Sequence, residues 1–194
     1  MKFENARWVG AGPPPDVRRP RAGVRAFFAL WPSDAERDAL FAWAQACHAA
    51  SGGRLVLREN LHVTVAFLGD VERSRLPELG PIAERSLGAP FALVLDRIGY
   101  WPYNRIVHAA ATRTPAPLAA LCATLTQALA QAGFRTEARP YRPHATLLRD
   151  ARSAPAAVPV EPLVWPVGAL VLAESARSQR GQLYRPLQRW TLPG

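Results

Sequence analysis

Two stretches, LHVTVAFLGD (residues 61–70) and PHATLLRD (143–150), each set a His-x-Thr triplet at the head of an apolar run. The runs are rich in Val, Leu and Phe, the composition of a strand that packs on a core. Side chains at i and i+2 of a strand share one face. In the first stretch that period sends Leu61, Val63, Val65 and Phe67 into a core. It leaves His62, Thr64 and Ala66 on the other face. One such triplet is a weak signal. Two in a chain of 194 residues, on comparable elements of its two halves, call for a fold that repeats a strand with one apolar face and one imidazole-bearing face.

The remaining chain reads as short strands and a few helices. GVRAFFALWP (23–32) is a strand ended by Pro32. SDAE (33–36) is a capping box, and the helix after it runs to SGG (51–53), where glycines stop it. RLVL (54–57) is a short strand ahead of the first triplet. RSRLPELGPIAERSLG (73–88) is a helix broken by Pro77 and Pro81. PFALVLDRIGYW (90–101) and RIVHAAAT (105–112) pair as a hairpin through PYN. APLAALCATLTQALAQAG (116–133) is the clearest helix, and ALVLAESA (169–176) and QLYRPLQRW (182–190) close the chain as strands. Strands outnumber helices and hairpins outnumber crossovers. The predicted class is therefore α+β with mainly antiparallel sheets, not a Rossmann-type parallel sheet. Residues 1–22 contain GAGPPPDVRRPR and no apolar period. They read as a disordered or loosely attached extension, with residues 23–194 as a single domain.

Composition narrows the function classes. Apolar residues make up 49% and charged residues 20%, ordinary values for a chain with a sizeable core. Cys47 and Cys122 lie far apart in Ala/Leu-rich stretches and read as two buried thiols of a cytoplasmic protein. No run of 18 apolar residues suggests a membrane span. The net charge is +9 and permits a phosphate-bearing partner. Lys2 is the sole lysine and lies in the extension, which disfavours covalent adenylation on a lysine. No GxxxxGK[ST] is present, so no P-loop is expected.

The paired triplets suit phosphodiester chemistry. Imidazole titrates near pH 6.5, so one histidine of a pair can accept a proton while the other gives one. Threonine hydroxyls donate hydrogen bonds to phosphate oxygens where charge accumulates. The candidate residues are His62, Thr64, His144 and Thr146. Arg149 adds a bidentate phosphate donor. Strict alternation from His144 places Arg149 on the opposite face, so it reaches the site only if the strand ends or bulges there. His48 reads as a helix-terminal histidine and His108 as structural or at a cleft rim. No carboxylate sits at ligand spacing beside either triplet, so no metal site is expected.

The two His-x-Thr motifs on strands resemble the mark of the 2H phosphoesterases. The flanking text ENLHVTVAFLGDV and RPYRPHATLLRDA, with RAFFALWP and LYRPLQRW, is similar to that of the RNA 2′,3′-cyclic phosphodiesterases, also called 2′-5′ RNA ligases. The resemblance runs from about residue 24 to residue 190. It implies two pseudo-symmetric lobes with mainly antiparallel sheets flanked by helices, enclosing a central cleft. It implies hydrolysis of a terminal 2′,3′-cyclic phosphate to a 2′-phosphate, with His62 as proton donor and His144 as proton acceptor. Thr64, Thr146 and Arg149 would bind the phosphate, with no cofactor. The implied partner is an RNA or oligonucleotide end carrying a 2′,3′-cyclic phosphate, and the protein would be a monomer away from any membrane. Two alternatives stay open: the reverse, 2′-5′-joining reaction, and non-catalytic binding of RNA ends. Phe27 or Phe28, Trp101, Tyr103 and Tyr141 are candidates to stack on the terminal base.

Overall fold

The computed structural model describes residues 23–137, 140–155, 160–178 and 181–194. The extension at 1–22 lies outside the described residues. In chain order the elements are β1 (Gly23–Leu30), α1 (Asp34–Ser51), β2 (Arg54–Leu55), β3 (Val63–Glu72), α2 (Leu79–Ser86), β4 (Phe91–Leu95), β5 (Arg97–Trp101) and β6 (Ile106–Ala110). They continue with α3 (Ala116–Gln131), β7 (His144–Arg149), β8 (Leu163–Val167), β9 (Ala169–Ser178) and β10 (Gly181–Thr191). Short 3-10 turns at Arg58–Asn60 and Arg73–Glu78 precede β3 and α2.

Eight strands form one sheet in the order β10-β9-β1-β3-β7-β6-β5, with β2 also on β7, and β4 pairs with β8 in a second, two-stranded sheet. Every strand pairing described is antiparallel. The large sheet has two halves that meet between β3 and β7 through the single pair Val63–Ala145. Helix α1 packs behind β7, and α3 packs behind β3, so each half is backed by a helix from the other half of the chain. The main core lies on this helix face and includes Phe28, Leu30, Leu40, Val63, Leu125 and Leu147. A smaller cluster of Phe27, Ala29, Val171 and Ala173 sits on the opposite face.

The capping box forms as expected, with the Ser33 backbone N–H donating to the Glu36 carboxylate at 2.9 Å. His48 closes the last turn of α1 with a 3.2 Å bond to the Gly53 carbonyl. Two expectations change. The stretch 90–101 is two strands, not one. Asp96 breaks it, its carboxylate accepting from the Thr112 N–H at 2.8 Å, so β4 leaves for the second sheet while β5 stays in the first. Strand β8 is an addition to the predicted set. Its LVWPV sequence contains Pro166, which cannot donate to a ladder and is tolerated because β8 has only one partner strand.

The inward pattern of β3 also departs from strict alternation. Phe28 faces Ala66 while Ala29 faces Thr64, so Val65 is an extra residue in β3. That bulge puts both Val65 and Ala66 in the main core and turns Phe67 onto the other face, beside the smaller cluster.

The turn from α1 to β2 depends on Gly53, at φ 92°, where an added Cβ would lie 2.8 Å from Ala151 Cα and from the Arg149 carbonyl oxygen. Both faults, a strained φ and a backbone clash, act at the end of β7. Gly53→Ala is expected to destabilise the fold by about 1–3 kcal/mol. A urea titration should show a lower midpoint with an unchanged slope.

Candidate active site

The Val63–Ala145 pair positions the site. Both side chains are fully buried on the helix side. Their neighbours on each strand, His62 and Thr64 on one and His144 and Thr146 on the other, therefore share the opposite face. The local two-fold relation of antiparallel strands makes the arrangement symmetric, with each triplet meeting the other head to tail.

The histidines are held alike. His62 Nδ1–H donates to the Asn60 carbonyl at 2.6 Å, and His144 Nδ1–H donates to the Arg142 carbonyl at 2.8 Å. A carbonyl only accepts, so in each ring Nδ1 carries the proton and Nε2 keeps the lone pair. At His62 that lone pair accepts from the Thr64 hydroxyl at 3.0 Å. Asn60 is itself buried and pinned to β10. Its amide donates to the Gln182 carbonyl at 2.6 Å and its Oδ1 accepts from the Tyr184 N–H at 2.9 Å. The His62 ring stacks on Trp31 at 5.7 Å and meets Phe27 and Tyr184, each at 5.0 Å. The His144 ring meets the edge of Trp101 at 4.6 Å and lies 5.7 Å from His108.

Arg149 joins the site through a second bulge. Val107 faces Leu148 while His108 faces Thr146, so Leu147 is the extra residue in β7. Leu147 and Leu148 both enter the core, and Arg149 returns to the face of Thr146. Its positive charge acts on both histidines. Strand β7 then ends, with Asp150 at φ 56° and its carboxylate bonded to Arg54 and Arg105.

Burial dominates the protonation of the cluster. It pushes His62 down to about 4, against the bond to the Asn60 carbonyl and with help from the positive charges of His144 and Arg149. His144 is also lowered, first by burial, while the Arg142 carbonyl and Glu137 oppose the shift and Arg149 adds to it. His108 is pushed down to about 4 by burial, then by His144 and Arg97. These shifts all favour the neutral imidazoles, and an anion between them would act in the opposite direction.

Among the aromatic candidates, Phe27 rather than Phe28 faces the site, packed against His62, while Phe28 is fully buried in the main core. Tyr103 is 73% exposed. Tyr141 is a tie between the halves and not a free platform, since its hydroxyl donates to the Thr64 carbonyl at 3.2 Å. Trp31, Tyr184 and Asn60 escaped the sequence reading. Asn60 had a signal, its place two residues before His62, but its partners on β10 are 122 and 124 residues away. His108, read as structural or at the rim, lines a pocket of about 370 Å³ that opens beside His144. No group of three His, Cys, Asp or Glu side chains able to hold a metal ion occurs among the described residues.

Comparison with known proteins agrees with this geometry. Residues 32–179 match the 2′-5′ RNA ligase superfamily, and the chain belongs to that family. It is 34% identical to an Escherichia coli protein named RNA 2′,3′-cyclic phosphodiesterase, over 87% of this chain and 96% of that one. It is 28% identical to a Thermus thermophilus protein of the same name, over 88% and 91% of the two chains. Its fold superposes on the crystal structure of E. coli LigT complexed with 3′-AMP with a TM-score of 0.81 and 32% identity, covering 89% and 99% of the two chains.

The depressed histidines carry a stability signature. The unfolded chain binds protons at these positions from about pH 6.5 downward, whereas the folded chain resists until about pH 4. The unfolded state therefore holds more protons in that window, and stability is lost as the pH falls through it. Scanning calorimetry should show Tm falling between pH 6.5 and about 5, above the usual carboxylate range. His108→Phe, which removes one of these sites, should flatten the fall.

Proposed function

We propose that the chain is an RNA 2′,3′-cyclic phosphodiesterase that opens a terminal 2′,3′-cyclic phosphate to a 2′-phosphate by two-histidine acid–base catalysis. The observation that carries this reading is the shared face around Val63–Ala145. There two Nδ1–H imidazoles with matching carbonyl partners flank one position. The family and the activity named for its relatives support it. Both triplets lie in one chain, so a monomer holds both of them.

In this mechanism His144 Nε2 takes the proton of the attacking water. The new P–O bond forms as the bond to the 3′ oxygen breaks, and protonated His62 delivers its Nε2 proton to that oxygen. Thr64, Thr146 and Arg149 donate to the nonbridging oxygens, whose charge grows in the transition state. The proton on His62 arrives with the substrate. An anionic phosphate raises a pKa that burial alone holds at about 4. Protonation also makes Nε2 a donor, which frees the Thr64 hydroxyl to turn its proton toward the phosphate. The same residues run the 2′-5′-joining reaction when a 5′-hydroxyl replaces the water.

Incubation with a nucleoside 2′,3′-cyclic phosphate in EDTA, followed by phosphorus NMR, should give only the 2′-phosphate. His62→Ala and His144→Ala should each lower turnover by about 10²- to 10⁴-fold with the fold intact by circular dichroism. A 3′-phosphate product, or near-normal activity in either variant, would refute the assignment. Tight binding without turnover by the unaltered chain would instead mark an RNA-end binder.

The pH profile is a separate test. The productive free enzyme carries one proton on the pair, and both imidazoles sit below their ordinary value. The bell for kcat/KM should therefore peak on the acid side of 6.5 and decline through neutrality. The bell for kcat should lie at higher pH, because the bound phosphate raises the pair.

A further inference from the structure

The pocket beside His144 carries positive side chains that the hydrolytic mechanism does not use. It is lined by Arg97, Trp101, His108, Thr114, Arg142 and His144, among others, and encloses about 370 Å³. Arg97 and Arg142 are both exposed, and neither forms an ion pair among the described residues. The carboxylate of Asp96, next to Arg97 in sequence, accepts from the N–H of Thr112, which also lines the pocket.

His108 is the second observation. It is only 6% exposed, and its buried Nδ1 has no hydrogen bond of good geometry among the described residues, the Ile106 backbone giving the protonated ring only minor support. It stacks on Trp101 at 4.0 Å. It fits because residue 99 is glycine, where a Cβ would lie 2.5 Å from His108 Nε2. An apolar ring of this shape would fill the space without the cost of desolvating two ring nitrogens. A polar ring held here, in one pocket with His144 and two guanidinium groups that form no ion pair among the described residues, makes sense when a ligand supplies negative charge.

We propose that this pocket binds a second phosphate of the substrate, the phosphodiester joining the terminal nucleotide to the one before it, so that an oligonucleotide end is preferred to a mononucleotide. The inference rests on the phosphodiesterase reading for the placement of the reacting phosphate between His62 and His144. The neighbouring phosphate of the same strand would then fall to the pocket that His144 also lines. Arg97 and Arg142 supply charge-assisted hydrogen bonds, and an anion there turns the electrostatic environment of His108 from repulsive to favourable for its protonated form.

The test compares a nucleoside 2′,3′-cyclic phosphate with a dinucleotide ending in the same group. The unaltered chain should favour the dinucleotide by about tenfold or more in kcat/KM at low salt, and added salt should erode that preference. In the double variant Arg97→Ala/Arg142→Ala the ratio of the two kcat/KM values should fall at least about fivefold. An unaltered chain without preference, an unchanged ratio in the variant, or an equal loss on both substrates would overturn the proposal. The last outcome would assign the arginines to the reacting phosphate. Should the unaltered chain open neither substrate, the phosphodiesterase reading fails instead. Calorimetric binding of the dinucleotide 2′-phosphate then decides the pocket: weaker binding by the variant supports it, and equal binding refutes it.

Discussion

The pairing of Val63 with Ala145 is the contact on which the site depends. It is the one ladder position between the two halves of the large sheet among the described residues. Both residues are small enough for the strands to meet and apolar enough to be sealed against the helices behind them. With that register set, the strand period alone delivers two imidazoles and two hydroxyls to the same patch of the opposite face. A slip of one residue would send all four into the core. The buried side chains around this pair therefore specify register as much as they stabilise the fold.

Chemical asymmetry is laid over this symmetric frame. Each histidine donates Nδ1–H to the carbonyl two residues earlier, so both present the same lone pair. Their surroundings differ. His62 lies among Trp31, Phe27 and Tyr184, with Asn60 anchoring its carbonyl partner to β10. His144 borders an open pocket with arginines on its rim and another imidazole in its wall. One histidine is enclosed and the other has room beside it for more of a substrate. Environment, and not ring chemistry, differentiates two otherwise matched groups.

Much of this was legible in the residues. Period-2 alternation placed His62, Thr64, His144 and Thr146 on one face, and the turn signals placed α1, α3 and most strands. What escaped has physical causes. Alternation assumes an unbroken ladder, and the bulges at Val65 and Leu147 break it. The first moved Ala66 and Phe67 to opposite sides from those expected, and the second returned Arg149 to the site. Strand β8 carries a proline that argues against a strand unless it has a single neighbour. Asn60 and Tyr184 became site residues only through β10 meeting the 3-10 turn, a contact between distant parts of the chain, and Trp31 by stacking on His62 from the end of β1.

The exchange of helices between halves has a consequence for how the molecule is made. Because α1 lies behind β7 and α3 behind β3, a nascent chain that has emerged only as far as β3 and α2 holds a helix whose main partner strand is not yet made. Leu40, Ala44 and Cys47 on α1 are buried in the finished core together with residues of the second half. The two lobes are thus interlocked, not tandem modules. Completion of the core and convergence of the two His-x-Thr triplets therefore draw on the same contacts between the first and second halves of the chain.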